Sequence, residues 1–250
     1  MIFSNGSDGP AIIVPLVGTT AEVLIDEARA AEAAGADVLE FRADFLLANH
    51  PDYDLNSAGR EVLRELFKQT RVPILFTIRT RGQGGELDVT PFRYRVLMAT
   101  VLDLMLQENF PAARVGVDFE YHWDATPELA RRAFVLGYTP VVSHHEWADT
   151  PDDEVLYVML DDMLAISGAI PKLAVMARDD SDTQRLLDIT RLVTERHGRP
   201  VLTIAMGEAG QRSRLEGGAY GSVATFAAAG ATTAPGQPSL DELRRHLERD

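Results

Sequence analysis

Ala169-Ile170-Pro171-Lys172-Leu173-Ala174-Val175-Met176 is an apolar run carrying one charge. It is followed by a helical pattern over 182–197, a stop at Gly198, and a second apolar run, Val201-Leu202-Thr203-Ile204-Ala205. Short apolar, β-branched runs bounded by breakers read as strands, and the intervening residues repeat at the three- and four-residue spacing of a helix. Two strands joined through a helix are parallel, because a parallel pair needs a crossover. The same unit recurs in both directions along the chain. Strands are predicted at 11–17, 37–42, 73–79, 114–119, 139–143, 171–176, 201–205 and 219–225. Helices are predicted at 20–34, 57–69, 92–107, 127–136, 151–166, 182–197 and 239–248, whereas the short, glycine-rich 210–218 reads as a loop. Thr126 and Thr150, each followed by proline, are expected to cap the helices that follow them. Eight strands alternating with helices in 250 residues predict an α/β fold: a single (β/α)8 TIM barrel spanning residues 1–250 as one catalytic domain.

Composition narrows the function. The chain holds no cysteine, which excludes disulfides, thiolate catalysis and cysteine-ligated zinc and fits a cytoplasmic protein. Its formal net charge of −14 opposes binding to nucleic acid and to anionic membranes. An anionic ligand would therefore need a local arginine cluster. No apolar run is long enough to span a bilayer, and residues 1–10 lack the basic stretch and apolar run of a secretory signal.

Of the 24 Lys and Arg residues, only Lys68 and Lys172 are lysine. Lys68 lies in a polar stretch. Lys172 lies inside a strand, where an ammonium is costly unless it is paired or neutral. Two readings follow: an edge-strand lysine that snorkels to water, or a buried amine able to attack a carbonyl as a Schiff-base nucleophile. Chemistry in such a barrel sits at the C-terminal strand ends. Those ends carry Glu40 and Arg42, Arg79, Asp118 and Glu120, His144 and His145, then Met206 with Arg212 and Arg214 beyond it, and finally Gln237. Glu40 and Arg42 share a strand face, so they read either as an internal ion pair or as ligand contacts. At most one of His144 and His145 can point inward. The remaining histidines (His50, His122, His197 and His246) show no metal-ligand spacing. Residues 82–85 read as a plain turn or, more weakly, a phosphate cradle, and 207–218 as a mobile lid or a simple connector.

Taken in order, these segments resemble the type I 3-dehydroquinate dehydratases. The residues that carry the resemblance are Glu40-Phe41-Arg42-Ala43-Asp44, Phe76-Thr77-Ile78-Arg79-Thr80, Ser143-His144-His145-Glu146-Trp147, Ile170-Pro171-Lys172-Leu173-Ala174, Met206-Gly207, Ser213-Arg214-Leu215, Gly221-Ser222 with Thr225-Phe226, and Ala234-Pro235-Gly236-Gln237. The resemblance implies a cytoplasmic, homodimeric shikimate-pathway lyase that removes water from 3-dehydroquinate, without metal or organic cofactor. It implies Lys172 as the Schiff-base nucleophile and His145 as the acid–base. Arg214 and Gln237 would take the substrate carboxylate, with Thr233 beside them. Glu40, Arg42 and Arg79 would serve the ring hydroxyls and the polar network around the lysine, and Met206 and Phe226 would form the apolar wall. The chain departs from the family at Gln83, where glutamate is usual and would hydrogen-bond the catalytic histidine, at Thr233 for serine, and at Glu146-Trp147. The alternatives are an aldolase-like Schiff-base barrel acting on another oxo-acid, and an idle barrel that only binds.

Overall fold

The computed structural model describes residues 2–3, 9–49, 55–230 and 234–247. The strands are β1 Ala11–Leu16, β2 Val38–Arg42, β3 Ile74–Thr77, β4 Val115–Glu120, β5 Thr139–Glu146, β6 Ile170–Met176, β7 Leu202–Met206 and β8 Ala224–Phe226. The helices are α1 Ala21–Ala33, α2 Ala43–Asn49, α3 Arg60–Gln69, α4 Pro91–Gln107, α5 Thr126–Val135, α6 Asp153–Ala165, α7 Asp180–His197, α8 Gln211–Glu216 and α9 Leu240–Leu247. All strand pairs are parallel, in the order β7-β6-β5-β4-β3-β2-β1-β8. The two ends of that order meet at a parallel bridge between Val201 and Ser222, with Val223 N–H donating to Val201 O at 2.9 Å. At this seam the Ser222 hydroxyl substitutes for ladder bonds, accepting from Thr203 N–H at 3.2 Å and donating to Ala224 O at 3.0 Å. The sheet is a (β/α)8 barrel, as the alternation of patterns predicts.

Period-two alternation divides the barrel interior into two layers. Val38, Leu75, Val141, Ile170, Leu202 and Ala224 pack together in the lower layer, and Ile2 and Phe3 close it from below. Two residues further along β2, β3, β5 and β6 the interior turns polar, with Glu40, Thr77, Ser143 and Lys172 buried and joined by Asp118 of β4, while β7 and β8 stay apolar at Ile204 and Phe226. The outward faces of the strands pack against the helices, with Leu39, Phe41, Phe76, Val117, Phe119 and Val142 in the largest apolar cluster. The lower layer supplies hydrophobic burial, and the upper layer is where the interior's charge collects.

Four local expectations need correction. The predicted strand at 219–225 is short: Gly217–Tyr220 is a 3₁₀ turn, and Gly221, at φ 100°, redirects the chain before Ala224 begins the strand. A left-handed turn of this kind strongly favours glycine. Residues 210–218 are not a loop. They hold the six-residue helix α8, which packing stabilises where its length and glycines could not. Its Ser213 hydroxyl donates to Gly210 O at 2.8 Å and accepts from Ala205 N–H at 2.9 Å. Helix α2, which directly continues β2 and buries Ala43, Leu46 and Leu47, is not among the predicted helices. Thr126 and Thr150 do not cap. Thr126 lies inside α5 and donates to Glu120 O at 2.6 Å, while Thr150 donates to Met176 O at 2.9 Å. Functioning caps are Thr20, Thr90 with Pro91 behind it, and Asp179.

Candidate active site

Lys172 is central in β6, between β5 and β7, and 4% exposed. That disposes of the snorkelling edge-strand reading. Its Nζ lies 3.2 Å from Asp118 Oδ2, 3.5 Å from Glu40 Oε1, and 4.6 Å from the centroid of the Phe226 ring. The amine is therefore held, in a buried position, by two carboxylates and a π face.

Those carboxylates belong to a wider network. Arg79 donates to Asp118 Oδ2 at 2.8 Å, to Glu120 Oε1 at 3.3 Å and to the Ser143 hydroxyl at 2.8 Å. Ser143 in turn donates to Asp118 Oδ1 at 2.5 Å. Thr77 donates to Glu40 at 3.0 Å, and Glu120 accepts from Thr80 N–H, Thr80 Oγ1 and Trp123 Nε1 at 2.8, 2.8 and 2.9 Å. Burial alone would raise the Asp118 carboxyl, but Arg79, Lys172 and the Ser143 hydroxyl outweigh it and hold it below the ordinary aspartate range. Burial likewise opposes the Arg79 guanidinium, and Asp118, Glu120 and Glu40 overcome it, so Arg79 is raised.

Glu40 and Arg42 are not partners, although they share a face. Glu40 turns to Lys172, and Arg42 makes a two-pronged pair with Asp44 at 2.8 and 2.8 Å. Asp44 also accepts the N–H groups of Arg79 and Glu86, both at 3.2 Å, tying β2 to the turn after β3.

Arg214 differs from the other buried cations. It is 2% exposed, yet among the described residues no carboxylate lies within ion-pair distance. Its Nη2 donates to Pro235 O at 3.4 Å, and Nε has no hydrogen-bond partner. Burial lowers its pKa to about 10. A guanidinium left without a counter-charge in the wall of a cleft is prepared for an anion from outside.

His145 ends the inward face of β5. Its pKa is pushed well below the ordinary histidine value, by burial first and then by the positive charges of Arg79, Lys172 and Arg42 and by His144. The ring is therefore neutral near pH 7 and able to accept a proton. Its Nδ1 has no hydrogen-bond partner among the described residues. Gln83 Oε1 accepts at 2.8 Å from the main-chain N–H of His145, not from the ring. His144 faces the other way, edge-on to Tyr121 at 6.4 Å between centroids.

These groups converge on one cleft at the C-terminal mouth of the barrel. Lys172, His145, Glu40, Arg42, Arg79, Arg214, Gln83, Gln237, Met206 and Phe226 all line it. Thr233 lies outside the described residues. Asp118, Glu120, Asp44 and Ser143, which complete the charge network, carry less signal in sequence. Asp118 and Glu120 are marked only as charged residues at a strand end, and Asp44 and Ser143 only as members of motifs that assign them no role. Residues 82–85 form a tight turn whose Gly84 carries φ 83°. Among the described residues no group of three His, Asp or Glu side chains is placed to hold a metal ion, and no helix is long and apolar enough to cross a membrane.

Comparison with known proteins gives the same reading. The family model for type I 3-dehydroquinase matches residues 12–250. The 3-dehydroquinate dehydratase of Listeria monocytogenes serotype 4a (strain HCC23) is 34% identical over 249 residues, covering 97% of this chain and 93% of that one. The protein of the same name from Lactiplantibacillus plantarum is 33% identical over 244 residues, with the same coverage of 97% and 93%. Among solved structures, the 3-dehydroquinate dehydratase of Geobacillus kaustophilus HTA426 superposes with a TM-score of 0.86 at 29% identity, covering 96% of this chain and 90% of that one. The type I enzyme of Clostridium difficile, solved with covalently modified comenic acid, also reaches 0.86 at 29% identity, covering 98% and 93%. With this match over nearly its whole length, on a barrel whose mouth gathers a buried lysine, a neutral histidine and an uncompensated arginine, the chain belongs to the type I 3-dehydroquinase family.

Proposed function

We propose that this barrel is a 3-dehydroquinate dehydratase working through a Schiff base on Lys172, with His145 as its acid–base and Arg214 as its carboxylate anchor. The observation that carries this reading is the convergence of all three on one cleft. The Lys172 amine attacks the C3 ketone of the substrate, and loss of water from the carbinolamine leaves an iminium. His145 takes the C2 proton, and the C–H electron pair moves into the iminium to give an enamine. The enamine returns that pair to expel the C1 hydroxyl, which leaves as water with the proton His145 holds. Hydrolysis of the conjugated iminium frees Lys172 and 3-dehydroshikimate. The balance is the loss of one water, with no redox step. Asp118 and Glu40 stabilise the positive nitrogen as it forms, and Arg79 keeps Asp118 anionic for that purpose.

The substrate carboxylate would supply the counter-charge that Arg214 lacks, with Gln237 and Thr233 beside it. Met206 and Phe226 would face the apolar side of the ring, and Arg42 with Arg79 its hydroxyl side. A homodimer in the cytoplasm, one barrel per catalytic unit and a role in the shikimate pathway fit the family, and the net charge of −14 argues against nucleic acid as a partner. The direct test is to follow enone formation from 3-dehydroquinate, with borohydride added to trap the imine. Turnover together with a reduced adduct on Lys172 supports the proposal. An adduct with a different oxo-acid and none with 3-dehydroquinate would favour the aldolase-like alternative, and binding without turnover the idle one.

Two further expectations arise here. Arg214→Leu removes a charge that has no counter-charge among the described residues, so thermal stability does not fall. Substrate affinity drops about 10- to 100-fold, the scale of a lost charge-assisted hydrogen bond. A variant that melts early with unaltered KM would assign Arg214 to the fold instead. Gln83→Glu places a carboxylate near His145. A neighbouring anion favours the imidazolium, so the histidine pKa rises and the base becomes protonated at higher pH. The acid limb of the kcat/KM profile then moves upward, by about one pH unit. An unchanged limb would mean that position 83 does not tune His145.

A further inference from the structure

Trp147 follows β5 directly and remains 36% exposed at the mouth of the cleft it helps to line. Its indole lies nearly parallel to the His145 imidazole, with ring centroids 6.2 Å apart and planes 17° apart, an offset stack. The opposing wall is shaped to admit it. A Cβ built on Gly84 would lie 2.1 Å from the indole Cζ2 and 2.8 Å from Cε2, and Gly84 also takes a φ of 83°. Both the conformation and the space at position 84 therefore require glycine. The neighbouring Gln83 grips the same strand end, through the main chain of His145. Among the described residues the imidazole Nδ1 is without a hydrogen bond.

We propose that Trp147 is the positioning residue of His145: the indole, seated over Gly84, sets the orientation of the imidazole and shields it from water, in place of a hydrogen bond to the ring. The proposal deepens the dehydratase reading, and rests on it only for the effect on rate. A general base must be both aimed and unprotonated. The groups that act on His145 are Arg79 just beyond β3, Lys172 on β6, Arg42 on β2 and His144 on its own strand, and each of these disfavours the imidazolium. Burial is the largest influence in the same direction, and it is the one a side chain at the cleft mouth controls. Removing the indole leaves the cations in place and lets water reach the ring, so the imidazole becomes easier to protonate.

The test uses the full chain and its Trp147→Ala and Trp147→Phe variants. The imidazole is followed by NMR with ¹³C-labelled histidine, and the His145 signal is assigned by its loss in His145→Gln. In Trp147→Ala the His145 titration moves up toward the unperturbed value of ~6.5. In the same variant kcat falls on the order of tenfold, within the reach of general acid–base catalysis, and the acid limb rises with the titration. Trp147→Phe keeps an aromatic face and restores both. Gly84→Ala, which pushes the indole aside, should change the titration as Trp147→Ala does. An unmoved His145 titration in folded Trp147→Ala overturns the proposal. So does an effect confined to KM, which would make Trp147 a substrate wall. The titration is read without substrate, so a parent chain inactive on 3-dehydroquinate would sink the dehydratase reading and still leave this one decided.

Discussion

Lys172→Ala loses dehydration of 3-dehydroquinate by on the order of 10⁴- to 10⁶-fold, the scale of deleting a nucleophile, and yields no borohydride-trapped adduct. The reason is the bond that has to form: alanine has no amine, and among the described residues nothing else lining the cleft presents one. Alanine also leaves Asp118 and Glu40 short of a counter-charge, so part of its loss could come from a disturbed site. Lys172→Arg separates the two effects. The guanidinium keeps a positive charge between the two carboxylates, but it stays protonated and does not form an imine. The arginine variant is expected to fold as the parent does and to be as inactive as the alanine variant. Intact-protein mass after borohydride, read beside the rate, distinguishes the outcomes. Turnover that survives Lys172→Arg would remove the covalent step from the mechanism.

Arg79→Ala is expected to be the most damaging single change to stability, costing about 3–5 kcal/mol at pH 7, the range for breaking a buried ion pair by removing one partner. The guanidinium bonds Asp118, Glu120 and Ser143 at once, at 3% exposure. Its loss leaves buried carboxylates that the remaining groups do not fully compensate. The pH dependence gives the diagnostic sign. In the parent, Asp118 is held below the aspartate value of 3.8, so its contribution is present above that pH and is lost as pH falls through the lowered folded value. Without Arg79, burial remains and the carboxyl rises, so the variant gains relative stability wherever that group can take a proton. The deficit measured by urea midpoints should therefore be largest at neutral pH and shrink toward pH ~4, where unperturbed carboxyls titrate. A deficit independent of pH would mean that Arg79 contributes packing alone.

The legible parts of the fold were those with a local cause. The run 171–176 became β6 because β-branched and apolar residues bounded by breakers have few other places to go. Gly198, read as a stop, takes φ 59° as the left-handed end of α7. Helix α8 escaped because its six residues are held by contacts with β7 and not by propensity. Strand β8 was over-read because hydrophobic residues at 219–223 serve a turn and the barrel seam. Thr126 and Thr150 carried the right chemistry for capping but found carbonyl partners at Glu120 and Met176 instead.

In the cleft the division is similar. Lys172, His145 and Arg214 stand in motifs whose spacing survives in one dimension. The identity of Lys172 as the unusual lysine was also readable, since an ammonium amid Leu173, Ala174 and Val175 needs a reason. Its partners were not readable. Asp118 lies 54 residues away and Glu40 132 residues away. Arg42 chose Asp44 over Glu40, and Gln83 accepts from the backbone N–H of His145.

By itself the sequence determined the class of fold, the direction of every strand and the residue types available to each strand end. Those follow from side-chain periodicity and crossover length, which act over one or two turns of chain. Only the tertiary structure decided which charge faces which. Barrel closure brings β2, β3, β4 and β6 around one axis, and burial there makes each choice of partner cost or gain several times what it would in water. The stack of Trp147 on His145 and the uncompensated charge of Arg214 belong to that second kind of information: each exists only once the strand ends have been brought together.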